Sequence, residues 1–172
     1  VVSGNVSFYN GTNQKNINPT PVIGGIGLIN NLSKSINHLF KKNQSIILLI
    51  GKTFGHLEQS CFLKENYSII DGMPPDVNLL NEKNNGENML KLIQANLVLS
   101  IHDVSNGGLI VALSEMAMSS NYGVKIQKPK ILSNLIEYFF GEDQGRYILE
   151  LEPNNLAKVE KILKGNNVYY EN

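Results

Sequence analysis

Apolar positions along the chain form short runs separated by polar turns, and the runs alternate between the two periods of secondary structure. Residues 45–50 are almost continuously apolar, as in a strand covered on both faces. Residues 97–100 read the same way, short, apolar and carrying the β-branched Val98. Behind them Leu109, Leu113, Met116 and Ala117 fall at helical spacing, so a helix follows a polar turn. Residues 88–95 predict the helix that leads into the strand at 97–100. Residues 31–40 predict a short amphipathic helix with Leu32, Ile36, Leu39 and Phe40 on one side. Pro19 and Pro21 set an extended entry to a glycine-containing strand over 22–29. Residues 51–63 read as a loop followed by a weak helix, and 74–78 as a rigid turn. Residues 123–127 alternate like a half-buried strand, and 133–140 are helical. A strand then runs through Leu151, and Asn155 caps a last helix with Leu156, Val159, Ile162 and Leu163 inward and Gly165 at its end. Strand and helix alternate about four times without an internal repeat, which predicts a layered α/β (α+β) domain with helices packed on a mixed, mostly buried sheet.

A chain of 172 residues is long enough to bury one real core. Its 15 basic and 15 acidic residues cancel, so no general attraction to nucleic acid is expected. Asparagines are scattered among periodic apolar positions, a compositional bias rather than a low-complexity tract. The single Cys61 excludes an internal disulfide and suits a reducing compartment. With no membrane-length apolar run and no signal peptide, the expectation is a cytoplasmic, non-membrane protein. The chain opens Val1-Val2-Ser3-Gly4 and ends on 168–172 as if entering a strand, and is expected to be a piece of something longer.

Candidate chemistry concentrates in Ile101-His102-Asp103-Val104-Ser105-Asn106-Gly107-Gly108-Leu109. A helix N-terminus has unpaired N–H groups, and glycines admit a close neighbour, so the turn suits a phosphate, or a magnesium–phosphate pair with Asp103 as oxygen ligand. The competing reading is a core helix capped by Ser105 or Asn106, with His102 and Asp103 as loop residues. Ser3-Gly4-Asn5-Val6-Ser7-Phe8-Tyr9-Asn10 offers bare backbone and an amide oxygen, a turn or a nucleotide contact. The glycines within 22–29 lack a lysine and a helix cap and read as structural. Phe140-Gly141-Glu142-Asp143-Gln144-Gly145-Arg146-Tyr147 clusters acids, an amide and a guanidinium. Adjacent strand residues face opposite ways, so a catalytic acid pair is not expected, and a salt-bridged turn competes with substrate contact. His38 and His56 have no partner at zinc-ligand spacing. Gly-x-Ser-x-Gly and Walker patterns are missing.

These strings together resemble the synthetase subunit of phosphoribosylformylglycinamidine (FGAM) synthase, a member of the aminoimidazole ribonucleotide synthetase superfamily. The match runs through Gly4–Asn10, the proline–glycine stretch at 19–29, the turn at 101–109 and the string at 140–147, with Asn106 where the family usually has Asp. The resemblance implies use of ATP and Mg2+ to activate the amide oxygen of formylglycinamide ribonucleotide by phosphorylation, after which glutamine-derived ammonia displaces phosphate. It implies that residues 1–18 are the last edge of an N-terminal-type subdomain and that 19–172 form a C-terminal-type domain. Gly4 is then expected to touch ATP, Asn5 to ligate magnesium and Ser7 to contact the ribonucleotide substrate. Asp103 and Ser105 match residues of an auxiliary nucleotide site, Asp103 also as a metal ligand. Glu142 and Gln144 fall where a substrate-binding string stands in the other half of the subunit. Partners implied are the remainder of the subunit, a glutaminase subunit and a small accessory subunit; the catalytic histidines belong to another part, so the piece is expected to be inactive alone. A sister enzyme of the selenophosphate synthetase, thiamin phosphate kinase or hydrogenase maturation type is the alternative, as is a non-catalytic scaffold domain.

Overall fold

A computed structural model describes residues 2–6, 10–17, 20–127 and 134–172. The chain divides into two units, Val1–Asn30 and Asn31–Asn172. In the first, β1 (Gly11–Thr12) and β2 (Lys15–Asn16) form a small antiparallel hairpin. Asn13 and Gln14 both take positive φ at its tip, the backbone twist that closes a two-residue hairpin. The strand expected over 22–29 does not form: those residues are irregular, with Val22 95% and Ile26 101% exposed. An apolar pattern becomes a strand only where its backbone groups meet another strand, and among the described residues this run pairs with none.

The second unit is built on a four-stranded sheet of β3 (Ile46–Ile50), β4 (Ser100–Val104), β5 (Arg146–Leu151) and β6 (Tyr170–Glu171), in the order β4-β5-β3-β6. All three pairings are antiparallel, so the sheet is not mixed. Ile50 lies opposite Tyr147, and Val104 opposite Arg146. Helices cover both faces. Leu48, Ile50, Leu149 and Leu151 pack with Met89 and Leu92 of α2 (Leu79–Gln94) and Val159 and Leu163 of α5 (Leu156–Gly165). Leu49, Ile148 and Val104 pack with Leu109, Leu113 and Met116 of α3 (Gly108–Met118) and Tyr138 of α4 (Leu135–Phe140). Burial on both sides is why β3 reads as an unbroken apolar run and why β5 carries apolar residues on both faces between Arg146 and Glu150. Among the described residues the remaining α-helix, α1 (Cys61–Tyr67), is short, capped by Ser60, whose Oγ accepts from Leu63 N.

Several boundaries differ from expectation. The strand predicted at 97–100 begins at Ser100 and carries on through His102 and Asp103, which are strand residues rather than loop residues. Helix α2 starts at Leu79, nine positions before the predicted start, because Asn78 caps it through Asn81 N and its asparagine-rich first half hides the helical period. Residues 31–40 hold only a 3-10 turn, Leu32–Lys34; Asn37 O instead accepts from Ile101 N along the edge of β4. Residues 121–127 are irregular, not a strand. Ser133, at the predicted start of α4, lies outside the described residues. Asn155 precedes α5 but donates its amide to Leu97 O instead of capping.

Candidate functional site

The strand-to-helix turn after β4 is shaped by two glycines. Gly107 and Gly108 both have positive φ, 80° and 73°. A Cβ on Gly108 would sit 2.7 Å from Gly141 O and 2.8 Å from Phe139 O, so the group that approaches this backbone is the end of α4. The start of α3 is not capped by Ser105 or Asn106. Glu142 takes that place, its Oε1 accepting from Gly107 N at 2.7 Å and from Cys61 N at 2.8 Å. One carboxylate thus satisfies donors at the starts of two helices, and it lies where the N-terminal dipole would draw an anion.

The rest of the 140–147 string is similarly committed. Asp143, buried, accepts from Phe54 N, Gly55 N and His56 N at 2.9, 3.0 and 3.2 Å. Arg146, fully buried, donates to Asp143 O, Gly141 O and Thr53 Oγ1, with the Asp143 carboxylate 3.9 Å away. Burial pulls this guanidinium below its ordinary value, and the charge of Asp143 opposes the shift. Asn85 of α2 donates to Gly145 O at 2.9 Å, tying that helix to the same turn. Gln144 alone among the polar members from 142 to 146 is exposed.

Two cavities of about 220 and 230 Å³ open here and share Ser105 and Gln144 as walls. Glu58, Gln59, Pro74, Pro75, Asn106 and Glu142 complete the first. Glu82, Asp103, Val104, Gly145, Arg146 and Tyr147 complete the second. The structure therefore brings Asp103, Ser105, Glu142 and Gln144 together although they come from two separate stretches of the chain, one at the end of β4 and one before β5. Gly4 and Asn5 belong to the first unit and are exposed, and Ser7 lies outside the described residues. Two lining residues are not legible in the sequence: Glu82, whose helix the pattern starts only at 88, and Glu58, which sits in what reads as loop.

The second cavity offers oxygen donors: the carboxylates of Asp103 and Glu82, the Ser105 hydroxyl and the Gln144 amide. Its single basic residue, Arg146, directs Nε and both terminal nitrogens to protein oxygens. Tyr147, opposite Asp103 in the sheet, has its hydroxyl pushed above its ordinary value by burial and then by the charges of Glu82 and Asp103. Hard oxygens and net negative charge suit a magnesium ion or a magnesium-complexed phosphate and disfavour a bare anion. Among the described residues no three His, Cys, Asp or Glu side chains are grouped to hold a metal, so most of such an ion's shell falls to phosphate and water, its usual preference.

Residues 42–171 match the family described as AIR synthase related protein, C-terminal domain. The chain belongs to that family. A curated relative, the phosphoribosylformylglycinamidine synthase subunit PurL of Pelagibacter ubique (strain HTCC1062), is 49% identical over 171 residues, 99% of this chain and 23% of that protein. The chain thus spans less than a quarter of the length of that relative. Among solved structures, T. maritima PurL complexed with FGAR gives a TM-score of 0.63 at 17% identity, covering 81% of this chain and 25% of that one. T. maritima PurL complexed with ATP gives 0.59 at 16% identity, with 81% and 23% covered. A PurLQS structure from Thermotoga maritima gives 0.60 at 19% identity, again with 81% and 23% covered. At these identities the structures establish the fold of the AIR synthase related C-terminal domain for this chain. Among the described residues no helix is long and apolar enough to cross a membrane.

Proposed function

We propose that this AIR synthase related domain is the C-terminal part of the ATP-dependent FGAM synthase subunit. The reaction is conversion of formylglycinamide ribonucleotide, ATP and glutamine-derived ammonia to formylglycinamidine ribonucleotide, ADP and phosphate. The observation that carries the reading is the cavity in which Asp103 and Ser105 meet Gln144, two motifs of the resemblance converging on one oxygen-lined wall. The 49% identity to a PurL subunit across nearly the whole chain supports it. Residues 1–18 are the edge of a preceding N-terminal-type subdomain and 19–172 the C-terminal-type domain.

In this reading Gly4 gives ATP an approach to bare backbone, Asn5 presents an amide oxygen to magnesium and Ser7 contacts the ribonucleotide. Asp103 and Ser105 hold an auxiliary magnesium–nucleotide, Asp103 by its carboxylate and Ser105 by its hydroxyl. Magnesium, when bound, neutralises phosphate charge, which matters because Glu142 and Asp103 leave this end of α3 negative. Gln144, exposed, is the member of its string placed to meet a ligand, whereas Glu142 orders the helix starts beneath it. The T. maritima PurLQS assembly supports a complex with other subunits; in this reading they are a glutaminase and a small accessory subunit, and the compartment is the cytoplasm. The test is an amidine-formation assay with ATP, magnesium, ammonia and the formylated substrate. The full-length subunit is expected to turn over and the 172-residue chain to give none above a no-protein control. Turnover by the chain alone overturns the reading.

A further inference from the structure

We infer that His102 is a positioning residue that fixes the Asp103 carboxylate for a metal ion. The inference rests on the proposed role of Asp103 as a ligand in the auxiliary magnesium–nucleotide site. The two residues are neighbours on β4, so their side chains leave opposite faces of the sheet, His102 toward α3 and Asp103 toward α2. They nevertheless meet around the strand, with His102 Nδ1 3.2 Å from Asp103 Oδ1. The other ring nitrogen, Nε2, lies 2.9 Å from Glu115 Oε2 on α3. The ring also rests against that of His38, with centroids 5.0 Å apart.

Burial says which group holds which. The Asp103 side chain is 66% exposed and that of Glu115 56% exposed, whereas His102 is 16% exposed. A carboxylate so open to water samples several rotamers unless something fixed grips it, and the half-buried imidazole is the fixed element. Gripping Oδ1 leaves Oδ2 free, so the carboxylate offers one oxygen in a defined direction on the wall shared with Glu82, Ser105 and Gln144. A hydrogen bond to a ligating carboxylate orients it and changes metal affinity by about 10–100-fold when removed. His102 thus acts on the metal through Asp103, and Glu115 acts through His102.

The geometry separates this role from that of a simple tie between β4 and α3. His102→Asn keeps an N–H donor near the Nδ1 position and loses the reach to Glu115. His102→Gln keeps a donor near Nε2 and loses Asp103. The experiment measures fluorescent ADP retention by the full-length subunit as magnesium is titrated, for wild type, His102→Asn, His102→Gln and Asp103→Asn. A nucleotide-free thermal melt of each reports fold stability separately. His102→Gln is expected to need about tenfold more magnesium for half-maximal retention. His102→Asn should stay close to wild type in magnesium requirement even where its nucleotide-free melt falls. The reverse ranking, or equal magnesium requirements in the two histidine variants while Asp103→Asn is impaired, overturns the inference alone. An unimpaired Asp103→Asn overturns the proposed site and the inference with it.

Discussion

Glu142 is a candidate substrate ligand from its string, and its carboxylate also joins the starts of α1 and α3, a structural role that is measurable. Oε1 accepts from Gly107 N at 2.7 Å and Cys61 N at 2.8 Å. Hydrogen bonds to a charged acceptor contribute roughly 1.5–3 kcal/mol each, and a buried donor left without a partner costs about 1–3 kcal/mol. Gly107 is buried and Cys61 half-buried, so water replaces the lost acceptor more fully at the second site than at the first. Glu142→Ala is therefore expected to destabilise the domain by roughly 2–4 kcal/mol. Glu142→Gln retains a carbonyl oxygen in the same place and loses only the charge, for roughly 0.5–1.5 kcal/mol. Urea denaturation followed by far-ultraviolet circular dichroism gives both values, the midpoint shifting with an unchanged slope. If Glu142→Ala stays within about 0.5 kcal/mol of wild type, the carboxylate is not a structural cap and returns to the set of ligand contacts.

Gly108→Ala meets two backbone carbonyls at 2.7 and 2.8 Å with φ at 73°, and should cost roughly 2–5 kcal/mol from the left-handed conformation and overpacking together; a urea midpoint near wild type contradicts this. Tyr147 has its hydroxyl raised above 10.0 in the folded chain by burial, Glu82 and Asp103. The folded state therefore holds that proton more tightly than the unfolded state, so the contribution is intact below the ordinary tyrosine value and is lost as pH rises through the folded one. Stability should fall as pH climbs past about 10, with a shallower fall in Tyr147→Phe, and identical pH slopes in stability would remove the assigned cause.

What was legible in the chain was what depends on local periodicity. Strands β3 and β5 were visible because burial on both faces leaves no polar position in their middles, apart from Glu150, whose carboxylate accepts from Lys41 N, Lys42 N, Ser45 Oγ and Ser100 Oγ. Helix α3 was visible from Leu109, Leu113 and Met116. The start of α2 was not, since Asn81, Asn84, Asn85 and Asn88 blur its apolar face while making polar contacts; Asn85, for example, reaches Gly145 O. Long-range partners were illegible for a stronger reason. Glu142 caps a helix that begins 34 positions earlier in the chain, and no spacing rule contains that contact. Of the site, Asp103, Ser105 and Gln144 could be read as candidates from their strings, but their meeting with Glu82 required the sheet register that sets Asp103 opposite Tyr147. The run at 22–29 shows the converse: an apolar pattern supplies half of a strand, and the partner edge supplies the rest.

A magnesium–nucleotide held on the Asp103 wall, as proposed, stabilises the folded subunit, and a thermal melt reads that stabilisation. A ligand that binds only the folded state stabilises it by about 2.7 kcal/mol at a concentration 100 times its dissociation constant. The full-length subunit and its Asp103→Asn variant are melted with and without magnesium–ADP. Magnesium–ADP is expected to raise the wild-type Tm, and Asp103→Asn to remove most of a distinct component of that rise without abolishing the proposed amidine formation. The same shift in both proteins would leave Asp103 as a surface carboxylate at the end of β4 and contradict the site.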